Sequence, residues 1–175
     1  MADVLRALIA SAPGPERARD EILAFIDEHN DALLRTCLAG HLTGSAAVVD
    51  RSRRAALLVL HRKLQRWLQP GGHADGDADL ARVALREADE ETGIVGLQLI
   101  GGPIDVDVHQ IPERPGEPAH LHLDVRFLVI APDGAAPTIN HESDAFRWVT
   151  VDDLDDPVLD ASTVRLLRAA LVAAG

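Results

Sequence analysis

Residues 80–92 hold a helical stripe that begins apolar and ends acidic, and few folds can accept that arrangement. At about 100° per residue, Leu80, Val83, Ala84, Glu87, Glu90 and Glu91 fall within roughly a third of the circumference. The first three positions mark the face that turns inward, so the three carboxylates continue an inward-facing surface. Carboxylates held together and turned inward are costly unless paired or bound to a cation. Hard oxygen donors suit Mg²⁺ or Mn²⁺. The stripe therefore predicts a helix that packs along one flank of a cleft and presents Glu87, Glu90 and Glu91 to divalent metal.

The signals around this stripe bound the helix. Periodicity predicts it over about Asp77 to Thr92, with Gly93 as the C-terminal stop. Arg86 and Glu90 form an i,i+4 pair. Ala81, Leu85 and Ala88 give the helix a second apolar flank. Upstream, Trp67-Leu68-Gln69-Pro70-Gly71-Gly72-His73 reads as a glycine-containing loop that leads into it.

The run from Gly72 through Arg86-Glu87-Ala88-Asp89-Glu90-Glu91-Thr92-Gly93-Ile94 resembles the box of the Nudix hydrolase family. Arg86, Glu87, Glu90, Glu91, Gly93 and Ile94 fall at that box's spacings. Ala88 takes an aliphatic place, and Ala78 stands where the family's first Glu belongs, flanked by Asp77 and Asp79. Either neighbour could supply a shorter carboxylate after a one-residue adjustment of the loop. Glu142, six residues before Trp148, lies where many members carry an acidic residue.

The resemblance covers roughly residues 41–174. It implies an α/β/α sandwich around a mixed β-sheet, here with an N-terminal helical extension over residues 1–40 and the main domain over 41–175. It also implies metal-dependent hydrolysis of a pyrophosphate linkage, typically in a nucleoside diphosphate joined to another group. Mg²⁺, or Mn²⁺ in its place, would be held by Glu87, Glu90 and Glu91. Arg86 would orient a carboxylate, and Glu142 is the first candidate for general base, with the box carboxylates as alternatives. Gly72 and Gly93 would serve backbone conformation. The alternative is a Nudix-fold nucleotide-binding or regulatory module without activity, which the loss of Glu at Ala78 favours and the retained Glu87, Glu90 and Glu91 oppose. An isopentenyl diphosphate isomerase relative would need an active-site Cys, and the single Cys37 precedes the matching region.

The rest of the chain reads as an α/β domain. Residues 2–11 and about 15–38 are predicted helices separated by Ala12-Pro13-Gly14-Pro15; they could cap the domain or form a homodimer contact. Thr43–Val49 and Ala55–His61 read as a β-hairpin. Strict alternation over Ile104–His109 and His120–Phe127 predicts two half-buried strands paired antiparallel. On these, His120, His122 and Asp124 share one face, and Asp105, Asp107 and His109 a similar one. His120, His122 and His73 are candidate substrate contacts, although an exposed sheet face is the plainer reading of the strand residues. Two strand histidines alone make a weak case for zinc. Phe146–Val151 and Ala161–Ala173 read as a strand and an amphipathic closing helix.

A length of 175 residues, 47% of them hydrophobic, supports one domain with a small extension. The formal charge of −11 argues against a nucleic acid duplex as partner and requires divalent cations beside any polyphosphate substrate. The local exception is the basic cluster around Arg62 and Lys63, a candidate phosphate contact. One Cys, no membrane-length apolar run and no secretory signal pattern fit a cytoplasmic protein.

Overall fold

A computed structural model describes residues 2–138 and 143–175. Two helices come first, α1 (Ala2–Ser11) and α2 (Glu16–Glu28). Four strands follow: β1 (Gly40–Asp50), β2 (Ala55–His61), β3 (Arg66–Leu68) and β4 (Gly71–His73). Helix α3 (Leu80–Thr92) then precedes β5 (Gln98–Ile111), β6 (His120–Ala131), β7 (Ser143–Val149) and α4 (Ala161–Ala174). The strands form one mixed sheet in the order β3-β2-β1-β6-β5, with β4 also on β1 and β7 on β2. Among the described residues the β1–β6 pair alone is parallel, with His41 opposite His122 and Thr43 opposite Asp124. The two predicted antiparallel pairings are present, β1 with β2 and β5 with β6.

Helices cover both faces of this sheet, as the resemblance implies. Leu42, Ala46 and Val48 of β1 pack with Leu80, Val83 and Ala84 of α3 and with Ile9, Ile22 and Phe25 of the N-terminal helices. A Cβ at Gly44 would lie 2.7 Å from the Leu80 carbonyl oxygen and 3.1 Å from the Ala84 nitrogen. Glycine there lets α3 lie directly against the strand. On the other face Ala47, Val49 and Leu128 pack against Leu166, Leu167 and Ala170 of α4. The period-2 rule places His41, Thr43 and Ser45 on this same α4-side face, with His120, His122, Asp124 and Arg126 beside them on β6. Helix α4 packs on the apolar end of that face, and the polar end meets a cleft.

Element boundaries differ from the sequence expectation in two informative places. Helix α2 stops at Glu28, ten residues short of the expected end; the segment beyond it is held by tight turns, among them Ala32 N–H to the His29 carbonyl and Leu34 N–H to the Asp31 carbonyl. Asn30 and Asp31, residues of low helix propensity, follow the extended C-cap His29. Helix α3 begins at Leu80 rather than Asp77, because Asp79 accepts the Arg82 N–H as an N-cap. It ends as expected, with Gly93 left-handed at φ 62°. The N-terminal helices pack on β5 and share the main core, with Leu5 and Ile9 buried alongside Val106 and Phe127.

Candidate active site

The acidic stripe of α3 meets the sheet at β4. Glu87 and Glu91 are half-buried, line a cleft of ≈ 730 Å³, and belong to the same wall as Gly71 and Gly72. The Gly71 N–H donates to Glu91 Oε1 at 3.3 Å. Arg86 donates from Nη2 to Glu87 Oε1 at 2.7 Å and to the His73 carbonyl at 3.2 Å. Its carboxylate partner is thus the adjacent Glu87 rather than the expected Glu90, and the bond ties helix to strand. Glu90, at the edge of the stripe, is exposed. Asp77 is committed to Arg82 through two bonds of 2.8 and 2.7 Å, and Asp79 caps the helix. Both carboxylates flanking Ala78 are thus already engaged.

Glycine at position 72 is a requirement of the Glu87 position. A Cβ there would fall 2.4 Å from the Glu87 carboxylate carbon. The carboxylate ends a flexible side chain, so it can swing away while the backbone stays. Gly72→Ala is thus expected to leave the unfolding midpoint within a few degrees of wild type. Displacing a catalytic group by about 1 Å can cost on the order of 100-fold, and the same substitution is expected to lower kcat/KM on that scale. Thermal melts and initial rates on one preparation check both halves.

The cleft floor is a buried ionic network. Thr43 and Ser45 each donate to Asp124 Oδ1 at 2.8 Å, and Arg126 Nε donates to Asp124 Oδ2 at 2.7 Å. Arg126 Nη1 reaches Asp105 at 3.1 Å. Arg165 of α4 meets Asp105 at 3.0 Å and Asp107 at 2.9 Å. Burial would push the Asp107 carboxyl up, but bonding from His109 and the charges of Arg126 and Arg165 hold it well below the usual carboxylate range. The alternating faces expected to be solvated are, at Asp105 and Asp124, 1% exposed.

Beside this network lies a histidine cluster. The His41 and His73 rings are 4.8 Å apart, His41 and His122 5.0 Å, and His73 and His122 5.0 Å. His120 stacks behind at 4.8 Å from His41, and His109 sits 5.4 Å from His122. Burial, then neighbouring imidazoles, pushes His122 down to about 2. Burial, then Arg35 and His41, pushes His73 down to about 4. An unfolded chain would protonate both near 6.5. Between that value and about 4 the unfolded chain binds more protons, so stability is fully present above 6.5 and is lost as pH falls. In metal-free buffer the urea midpoint is expected to drop between pH 7 and 4.5, and His122→Gln should shrink that drop.

The structure brings Glu87, Glu91, His73 and His122 to one cleft. Three expected substrate contacts do not line this cleft. Arg62 turns toward β7, pairing with Asp144 at 2.7 Å and donating to the Ser143 carbonyl. Lys63 is exposed in the β2–β3 turn. His120 is 5% exposed, with Nδ1 against the Pro118 carbonyl at 2.9 Å, and sits behind the cleft wall. From the same basic cluster it is His61 and Arg66, at the strand ends, that line the cleft, and Arg35 and Arg114 join them. Glu142 lies outside the described residues. His41, Arg126 and Arg165 were not singled out from sequence. The alternation His41-Leu42-Thr43-Gly44-Ser45 was the available signal for the first of them.

Comparison with known proteins bears on this arrangement. The family profile described as NUDIX domain matches residues 41–169. An RNA pyrophosphohydrolase from Acidiphilium cryptum is 31% identical over 137 residues, covering 69% of this chain and 73% of that protein. A CMP-5'-(N-acetyl-N-hydroxy-3-aminopropyl)phosphonate hydrolase from Streptomyces rubellomurinus is 29% identical over 135 residues. That match covers 69% of this chain, which spans 58% of the length of the Streptomyces protein. Among solved structures, a hydrolase of the NUDIX family from Clostridium perfringens aligns with TM-score 0.64 and 22% identity over 77% of this chain and 98% of that one. At that identity the likeness carries the fold.

Proposed function

This chain belongs to the NUDIX family, and on that premise we propose that it is a divalent-metal-dependent pyrophosphohydrolase acting on a nucleoside diphosphate linked to another group. The observation that carries the proposal is the placement of Glu87 and Glu91 against Gly71 and Gly72, on one wall of a cleft also lined by Arg35, Arg66 and Arg114. The fit to a hard cation rests on the donor set: carboxylate oxygens from one helix face, with a glycine leaving room for one of them. Glu87, Glu90 and Glu91 would hold Mg²⁺ or Mn²⁺. The metal would neutralise phosphate charge and lower the pKa of a water it binds.

The chain's own groups account for the remaining steps. Arg86 fixes the Glu87 carboxylate through its 2.7 Å bond while its second contact, to the His73 carbonyl, holds the helix to β4. Arg66, which is paired with Asp160, and Arg114 both line the cleft and offer guanidinium donors to phosphate oxygens. Water bonds to one phosphorus, the bridging P–O bond breaks, and the second phosphate departs with that oxygen. Glu142 is proposed as the base that takes the water's proton, with a box carboxylate as the alternative.

A panel of nucleotide sugars, dinucleoside polyphosphates, nucleoside triphosphates and ADP-ribose, with products identified by mass, tests the proposal. Expected is Mg²⁺-dependent cleavage between two phosphorus atoms that EDTA abolishes. Ala78, with Asp77 and Asp79 both engaged elsewhere, favours the binding-module reading. Tight nucleotide binding without turnover across the panel would establish that reading and overturn the enzyme.

A further inference from the structure

We propose that His41, His73 and His122 form a site for a borderline d-block cation such as Zn²⁺, separate in chemistry from the carboxylate site on α3. The three residues come from β1, β4 and β6, and each can place a ring nitrogen so that all three lie within 4.8 Å of one another. Their positions follow from strand register. His41 is paired directly with His122 across the parallel β1–β6 ladder, and His73 sits opposite Thr43 on β4. Ladder pairing on three strands gives a stiffer frame than loop residues would.

His41 is the observation that points to a ligand. It is 3% exposed, and neither ring nitrogen makes a well-formed hydrogen bond among the described residues, the Cys37 backbone alone bearing on the ring as a weaker contact. A buried histidine so weakly satisfied is rare. An imidazole there retains a lone pair aimed among two other imidazoles, and a cation would satisfy it. Tetrahedral zinc with nitrogen at about 2.0–2.1 Å sets ligand nitrogens roughly 3.3 Å apart. Metal binding there would draw the three rings together by side-chain rotation from their present spacing.

The donor set selects the metal. Imidazole nitrogen suits zinc, copper, iron and nickel, whereas the α3 carboxylates suit magnesium and manganese. His73 and His122 line the cleft, so a three-histidine site would keep its open position toward the substrate. His120 backs His41, and its Nδ1 contact with the Pro118 carbonyl fixes its own ring. A second grouping, His29, Asp31 and Cys37, brings together groups of metal-binding type as well, so the test separates the two.

The test uses the full chain, purified without a histidine tag and stripped of metal. Titration with Zn²⁺ by calorimetry and with Co²⁺ by visible absorption reads binding directly, without any turnover. Expected is one tight equivalent, with the intense visible bands of four-coordinate cobalt, that survives millimolar Mg²⁺, Glu87→Gln and Cys37→Ser. His122→Gln and His73→Gln, each checked for fold by circular dichroism, should weaken that binding about 100-fold or more. Binding that Mg²⁺ displaces, that Glu87→Gln removes, or that Cys37→Ser removes would overturn the site, as would no cobalt spectrum in the wild-type chain. Because the readout is metal binding, failure of the hydrolase proposal would leave this result standing, and the reverse.

Discussion

Glu87→Gln is expected to lower kcat/KM by about 100-fold or more, with no loss of stability. The substitution keeps size and hydrogen-bonding capacity and removes one charge from a group whose side chain is 16% exposed. Glu87 and Glu91 share a cleft wall, so removing one relieves like-charge repulsion in the metal-free protein and should hold or raise the melting temperature. Glu91→Gln is expected to behave alike, because its carboxylate takes the Gly71 N–H at the same wall. Glu90 is exposed at the stripe's edge, and Glu90→Gln should cost less. Rates measured across a Mg²⁺ titration distinguish a binding defect from a chemical one. If Glu87→Gln retained full rate at every metal concentration, the wall would not be a metal site. Loss of both rate and melting temperature would instead assign Glu87 a structural role.

The helix that carries these residues was legible because three independent signals coincide on it: the 3.6-residue period, a left-handed glycine stop and an acidic run on the inward face. The histidine cluster was not legible, and the reason is topological. His41 meets His122 through a parallel pairing, and the neighbouring Thr43 to Asp124 bond joins residues 81 positions apart. Local alternation fixes which face a residue takes but not which strand lies beside it. Reading the first strand from Thr43 also left His41 outside it, although the strand starts at Gly40. A similar limit applies to Arg62 and Lys63. Their closeness in sequence to the box suggested phosphate contact, yet the β2–β3 turn sends Arg62 to Asp144. His61 and Arg66, flanking the same turn, face the cleft instead. At Asp124 the alternation was read correctly as one face of a strand, but the face is a buried charge network rather than a solvated surface.

That network carries the largest expected stability effect. Arg126→Met should destabilise the protein by about 3–5 kcal/mol, because removing one partner leaves buried charges uncompensated. Arg126 is 3% exposed and holds Asp124 at 2.7 Å and Asp105 at 3.1 Å. Asp105 keeps Arg165 in the variant. Among the described residues Asp124 keeps the hydroxyls of Thr43 and Ser45, which cannot balance its charge. For a chain of this size the loss corresponds to a drop of about 6–20 °C in Tm. Asp124→Asn in the same background should return part of it, since the stranded charge is then gone. Asp107 adds a pH signature. Its carboxyl is held below the unfolded value of 3.8, so it contributes stability present above that pH and lost as pH falls below it. Arg126 is among the groups that hold it there, so Arg126→Met should flatten the acid limb of urea midpoint against pH. A loss under about 1 kcal/mol, with the acid limb unchanged, would mean that water enters the floor and screens the network. The cleft would then lack the low-dielectric base that strengthens charge interactions with an anionic substrate.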